Sequence, residues 1–307
     1  MTAAADQSSA PITWYRTQSA GQALARWGAV LALSLLAFLF LVPIYWMVNS
    51  SLKPIDTVFD NSWLPPFTTS GWPIPIPHPQ YFSNFSDALT LVPFRIYFQN
   101  TLLVTVLSVA GTMFSSSLVA YSFARLRWPG RDTIFVLVLV TLLLPGIVTF
   151  IPQYVLFSKI GWVDTFLPLI VPQWFGNAFF IFLLRQFFRG IPNELSEAAR
   201  IDGAGEFRIW WQIVMPLAKP ALAAVGIFSF TGAWEDYFNP LIYVGGDPNK
   251  WTLQLGLKAF ESAAGGGSPL WNLIMAAGLV VMIPVLIAFF IGQRYFIEGV
   301  TLTGLKG

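Results

Sequence analysis

Polar chemistry in this chain is confined to a few places, and two of them carry an informative spacing. The first is Thr231-Gly232-Ala233-Trp234-Glu235-Asp236-Tyr237-Phe238-Asn239-Pro240. Its carboxylates and the Asn239 amide can exchange hydrogen bonds with hydroxyl groups, while Trp234 and Tyr237 offer flat apolar faces for stacking. Two readings stand for it: the polar wall of a solute path, or an interfacial aromatic belt beside hydrated acids. The second place is Gly190-Ile191-Pro192-Asn193-Glu194-Leu195-Ser196-Glu197-Ala198-Ala199-Arg200-Ile201-Asp202-Gly203-Ala204-Gly205. This run reads as a short helix: Pro192 and Asn193 suit a first turn, Glu194 and Glu197 complement the positive end of the dipole, and Gly203 terminates it. Ala198 and Ala199 keep part of its surface small, so that a partner backbone can approach. Trp174 and Asn177 are weaker candidates for a path, because a lone Trp or Asn among apolar residues also serves helix packing.

Other chemistries are excluded by what the chain lacks. With no cysteine there is no disulfide framework, thiolate metal site or catalytic Cys. The single histidine, His78, sits in Trp72-Pro73-Ile74-Pro75-Ile76-Pro77-His78-Pro79, where the prolines favour an extended, solvated segment. Neither a metal site nor a catalytic residue is expected. A phosphate-binding loop needs Gly-x-x-x-x-Gly-Lys-[Ser/Thr], and no Gly-Lys dipeptide occurs in the chain, so it cannot hydrolyse ATP by that route. A net charge of +2 is far from the basic footprint of a nucleic-acid binder.

The elements that must position these residues follow from the solvent the chain is built for. It has 307 residues, 55% apolar and only 10% charged, with a mean hydropathy of +0.63. That is less than half the charged fraction of an ordinary soluble domain. Crossing about 30 Å of hydrocarbon takes roughly 20 apolar residues in a helix. Five uncharged windows qualify: Trp27–Leu52, Ile96–Ala124, Thr133–Ser158, Thr165–Leu184 and Ser262–Gln293. A sixth, Lys219–Val244, is interrupted only by Glu235 and Asp236. Runs such as Val136 to Leu144 do not alternate, which excludes a transmembrane β-barrel. The expectation is an all-α polytopic membrane protein with six transmembrane helices, about 28–50, 96–124, 133–158, 165–187, 219–243 and 270–293. Pro43, Pro145, Pro168, Pro172 and Pro284 lie inside the windows and predict kinks, not span ends. Residues 1–27 read as an N-terminal extension and 298–307 as a tail. The first apolar stretch is too long for a signal-peptide core and is expected to be retained.

Lys and Arg are distributed unevenly. If the N-terminus is cytoplasmic, the inner connections hold 12 of the 17 and the outer ones 5, so both termini are expected inside. The outer connection 51–95, with its eight prolines, should be stiff and extended. The one at 245–269, closed by Gly265-Gly266-Gly267, reads as a flexible tether or a mobile finger.

Glu197-Ala198-Ala199, three residues, Gly203, nine residues, Ile213, one residue, Met215-Pro216 resembles the EAA loop of binding-protein-dependent ABC importer permeases. Asp202, Ala204, Leu217 and Pro220 extend the likeness to the sugar-permease form, with Met215 where leucine is usual, a volume-conserving exchange. The resemblance covers roughly 28–307, and the tail Gly299 to Gly307 is similar to that of MalG-type carbohydrate permeases.

The resemblance implies a type I ABC importer permease fold with a cytoplasmic EAA coupling loop at 190–216. Glu197, Ala198, Ala199, Asp202, Gly203 and Ala204 would couple to the ATPase, and Thr301, Thr303 and Lys306 of the tail would contact it. Gly265, Gly266 and Gly267 would belong to a loop that meets the binding protein. It further implies a second related permease subunit, two ABC ATPase subunits carrying ATP and Mg, an extracytoplasmic sugar-binding protein, and a place in the inner membrane of a prokaryote. No cofactor would be bound by this chain. Trp174, Asn177, Trp234, Glu235, Asp236, Tyr237 and Asn239 are the candidate path residues. The same architecture carrying glycerol phosphate or another small solute stays open. An ion-coupled secondary transporter would be expected to show related halves with broken helices, and no convincing internal repeat is found.

Overall fold

The computed structural model describes residues 20–60, 67–68, 76–77, 79–260 and 269–304. Residues 1–19, His78, Gly265 to Gly267 and Lys306 lie outside the described residues. Apart from a two-residue antiparallel ladder pairing Phe67 with Pro77, the regular structure described is helical.

Four helical runs are long and apolar enough to cross a membrane, Leu24–Ser51, Phe94–Arg125, Leu167–Gly190 and Trp271–Gln293, and two bent pairs bring the number to as many as six. The first helix, α1 (Ala20–Ser51), contains Pro43 without a break. It begins before residue 28 because Gln22 to Arg26 hold no helix breaker after Gly21. Helix α2 (Ser83–Leu91), which the proline-rich connection did not suggest, is tied to the end of α1 by Asn84 Nδ2, donating to the carbonyls of Ser51 at 2.8 Å and Lys53 at 3.1 Å.

The central helix is α3 (Phe94–Arg125), 32 residues with a buried polar stripe: Thr101, Thr105, Ser108, Thr112 and Ser115 recur every three or four positions on one face. That stripe answers the helix opposite. Residues 167–190 are not one helix but α6 (Leu167–Ile170), a 3₁₀ turn at Val171–Phe175 and α7 (Ala178–Gly190). A break at membrane depth frees backbone groups that must find partners within the protein. Ser108 Oγ donates to the Leu169 carbonyl at 3.2 Å, Ser115 Oγ to that of Gln173 at 3.2 Å, and the Asn177 N–H to Ser116 Oγ at 3.1 Å. Close approach is made possible by Gly111, where a Cβ would lie 2.4 Å from Trp174.

Proline had a larger effect in the third window than the expected kink. Helix α4 (Arg131–Val140) and its 3₁₀ extension to Leu143 meet α5 (Gly146–Lys159) at 98°. Pro145 has no N–H to donate and holds Leu144 extended at φ −77°, ψ 117°, so the helix ends there. The window Lys219–Val244 is also divided, into α11 (Lys219–Trp234) and α12 (Phe238–Val244), with Glu235 to Tyr237 between them. Sixteen residues of α11 rise only ~24 Å, so α12 is needed to complete a crossing.

Residues 245–260 are not a tether. Leu253, Leu255 and Phe260 are buried, α13 (Leu253–Leu257) packs on α3, and the Leu253 N–H donates to Thr101 Oγ1 at 2.7 Å. Burial of those apolar side chains overrides the composition of the flanking Gly and Pro. The last helix, α14 (Trp271–Gly304), runs on past 293 and carries Thr301 and Thr303 in its helical backbone, since nothing between Arg294 and Glu298 stops a helix.

Candidate transport path and coupling segment

At the end of the bundle where α3 finishes, the chain leaves α7 and forms α8 (Asn193–Ile201). Its exit is a Schellman turn. Gly203 sits at φ +81°, its N–H donates to Arg200 at 3.0 Å, and the Ala204 N–H reaches Ala199 at 2.9 Å. A one-turn α9 (Glu206–Ile209), a π turn at Trp210–Val214 and α10 (Met215–Leu217) follow, and an 84° bend leads into α11.

This segment is held by a charge chain that its sequence pattern did not single out. Arg200 Nε donates to Glu206 Oε1 at 2.7 Å, and Tyr121 of α3 donates to Glu206 Oε2 at 2.5 Å. The hydrogen bond from Arg200 is the main reason the Glu206 carboxyl lies below its usual range. Arg125 donates to Asn193 Oδ1 and to the Ile191 carbonyl. A Glu six residues beyond an Arg, across a Gly turn, was the available signal.

The outward surface is apolar as well as acidic. Glu194, Glu197, Ala198 and Asp202 are exposed, and so are Leu195 (44%), Ile201 (87%), Phe207 (62%) and Trp211 (57%). Four large apolar side chains in one polar connection form a patch of the kind that marks an interaction surface. Ala199, by contrast, is half-buried against the chain's own core, which leaves Ala198 as the alanine open to a partner.

The second constellation lies along α3, from Thr101 to Thr112. A cavity of about 420 Å³ is lined there by Thr101, Ser108, Thr112, Gln173, Ser229 and Thr252, together with Asn177, Asp236 and Asn239. Among the described residues its lining includes no Lys or Arg. Asp236 accepts from the Asn239 N–H at 3.1 Å and from its amide at 2.8 Å, starting α12. Asn177 caps α7, accepting from Phe179 and Phe180.

Of the candidate path residues, Asn177, Asp236 and Asn239 are thus brought together, and four others are not. Trp234 is 1% exposed; its Nε1 donates to the Val281 carbonyl at 3.1 Å and its ring stacks on Phe230, so it is core and not a sugar platform. Trp174 packs against Gly111 and Phe114. Tyr237 lies under Lys258, and Glu235 is exposed outside the cavity. The reason is rotation about α11: Trp234 and Asp236 cannot face the same way across a helix end. The hydroxyl stripe, with its period of three to four, was the legible signal for the rest. No group of three His, Cys, Asp or Glu among the described residues could hold a metal.

Broken apolar helices around a polar cavity, with a short amphipathic segment projecting at one end, define the membrane subunit of a transporter. Residues 111–301 match the family model of the binding-protein-dependent transport system inner membrane component, and the chain belongs to that family. It is 31% identical to a diacetylchitobiose uptake system permease protein, NgcG, of Streptomyces coelicolor, over 85% of this chain and 83% of that one. It is 36% identical to an sn-glycerol-3-phosphate transport system permease protein, UgpE, of Pectobacterium atrosepticum, over 67% and 73%. A bacterial ABC transporter involved in the import of the acidic polysaccharide alginate has the same fold, with TM-score 0.74 and 26% identity over 91% of this chain and 98% of that one. The chain is therefore an inner-membrane, multi-pass permease subunit of an ABC importer, a channel component and not an enzyme.

Proposed function

We propose that this subunit imports a neutral sugar or oligosaccharide by alternating access, and that the 420 Å³ cavity is its part of the path. The observation that carries this reading is the lining: hydroxyls, amides and one carboxylate, with no Lys or Arg among its described residues. Hydroxyl-rich solutes pair with such groups in both directions as donor and acceptor. A phosphorylated solute calls for guanidinium or ammonium groups, so the cavity favours the chemistry named in the NgcG relative over that in UgpE.

The exposed acidic and apolar surface of α8 and α9 is read as the joint with an ATPase subunit, placed on the cytoplasmic side by the 12-to-5 bias of basic residues. Glu197 faces a cationic group of the partner, Ala198 gives close approach, and Asp202-Gly203-Ala204 fixes the exit angle. Both termini are then cytoplasmic. ATP and Mg belong to two ATPase partners, a second permease completes the path, and a sugar-loaded binding protein docks on the outer side. The long apolar faces of α1 and α5, exposed in the single chain, are available to lipid and to that second permease.

The test is co-purification and reconstitution with the partner subunits. ATPase activity should rise with sugar-loaded binding protein and not with the empty protein, and uptake should follow a neutral sugar. Uptake of glycerol phosphate in its place, or ATPase activity indifferent to loading, would reject this reading.

A further inference from the structure

A second and larger cavity, about 810 Å³, lies between the ends of α3, α4 and α7 and the inner side of α8. Six guanidinium groups line it, those of Arg125, Arg127, Arg131, Arg185, Arg189 and Arg200, against two carboxylates, Glu197 and Glu206. Four of the six are already held. Arg185 is buried over the Phe135 ring at 3.8 Å, Arg125 is fixed by Asn193 and Ile191, Arg131 pairs with Asp132 at 3.0 Å, and Arg200 pairs with Glu206. Arg127 and Arg189 are exposed and make no hydrogen bond or ion pair among the described residues; Asp132, which also pairs with Arg185 at 3.6 Å, is the carboxylate whose field reaches Arg189.

Two further donors are left over inside. Ser196 is 2% exposed, lines the cavity, and its hydroxyl has no partner; nor has the buried Nε of Arg125. Buried polar groups are ordinarily satisfied, and a surplus of positive charge beside unpaired donors is the chemistry of an anion site. Guanidinium forks match phosphate oxygens two at a time.

We propose that this cavity binds the phosphodiester headgroup of an anionic phospholipid from the inner leaflet. The choice of a lipid follows from what adjoins the site. Arg131 opens α4, and the next turns of α4 present Ile134, Val136 and Leu137 outward, an apolar surface beside which acyl chains can lie. Trp128, an interfacial residue type, stands in the same wall. Basic pockets between membrane helices on the cytoplasmic side are suited to such headgroups. The placement on that side rests on the proposed orientation above. Bound there, the headgroup would tie α3, α4 and α7 to the inner side of α8 and so stiffen the base of the coupling segment.

The test is thermal unfolding of the full-length chain in neutral detergent, titrated with phosphatidylglycerol, phosphatidylcholine or inorganic phosphate. Phosphatidylglycerol alone should raise the unfolding temperature. The R127Q/R189Q double variant, which removes only unpaired exposed charges, should bind it roughly 30-fold more weakly. S196A should bind it more weakly too, and R208Q, outside the cavity lining, should bind it normally. Equal stabilisation by phosphatidylcholine would overturn the proposal, as would inorganic phosphate matching the lipid at equal concentration, or unchanged affinity in both R127Q/R189Q and S196A. Binding in detergent depends neither on orientation nor on coupling, so a negative result leaves the importer reading standing; failure of the sugar or coupling reading leaves this site intact, and an inverted orientation changes only the leaflet that supplies the lipid.

Discussion

The coupling segment and the polar cavity are built in opposite ways. In the first, residues 193–206 are brought together by a short helix and its Schellman exit, so that partners lie within a few positions of one another. In the second, Thr101, Gln173, Asp236 and Thr252 converge from four separate stretches of chain. A local structure set by backbone geometry moves as one piece, which suits a joint. A cavity assembled from broken helices whose freed carbonyls are held by Ser108 and Ser115 can change shape by exchanging hydrogen bonds, which suits a path that opens to alternate sides.

The sharpest way to break this contrast is at Gly203. Proline cannot adopt φ +81° and would also remove the N–H that donates to Arg200, a combined cost of at least about 3 kcal/mol at that turn. Gly203→Pro should leave the protein in the membrane while abolishing sugar-stimulated ATPase activity in the reconstituted transporter. Glu197→Lys, which reverses an exposed charge without touching the turn, should uncouple as well. Normal sugar accumulation by either variant would refute the role of the joint.

On the path side the next effect is expected at Gly111. An added Cβ would meet Trp174 Cδ1 at 2.4 Å, and a rigid indole cannot yield as a flexible chain would. Gly111→Ala should destabilise the α3 contact with the broken helix by about 1–3 kcal/mol, read as a lowered unfolding temperature, and Trp174→Leu in the same chain should restore most of it. Asp236 follows. Removing its cap from Asn239 in Asp236→Ala should cost about 0.5–2 kcal/mol and most of the uptake. Asp236→Asn keeps a capping oxygen, so stability should return while uptake stays several-fold low; full uptake by Asp236→Asn would reduce Asp236 to a purely structural role.

How much of this was legible in the sequence divides along the same line. The helix ending at Gly203 could be read because its signals are local: Pro192 before it, Asn193 and Glu194 in its first turn, Gly after it. Five of the six apolar windows were visible for the same reason, each being a contiguous run without charge, and the sixth is broken only by Glu235 and Asp236. The cavity was only half legible. Asp236 and Asn239 stood out as rare polar residues in an apolar run, yet Trp234, next but one to Asp236, turned into the core, because facing is decided by packing against Val281 and Phe230 and not by proximity in the chain. Pro145 was visible, but whether a proline kinks or ends a membrane helix depends on which neighbours donate to the carbonyl left free in the preceding turn. Pro43 and Pro284 lie in unbroken helices, so residue type alone does not settle the outcome.

The smallest effect is expected at Glu206, where the coupling segment is tied through Tyr121 to α3, the helix whose other end lines the cavity. Glu206→Gln removes an ion pair whose partners are 39% and 42% exposed, worth about 0.2–1 kcal/mol after solvent screening. The same contact gives a pH signature. Because the Arg200 hydrogen bond lowers the folded carboxyl below its unfolded value, its stabilisation is complete above that unfolded value, about 4.3, and is lost as pH falls through the lower, folded one. Unfolding temperature should therefore fall less steeply in acid for Glu206→Gln than for the parent chain, with the two curves parallel at neutral pH. If the curves stay parallel down through the carboxylate range, Glu206 is not the charged link between α3 and the coupling segment, and the segment must be held by the Arg125 hydrogen bonds to Asn193 and Ile191 and by the apolar contacts of Trp210 and Ile209.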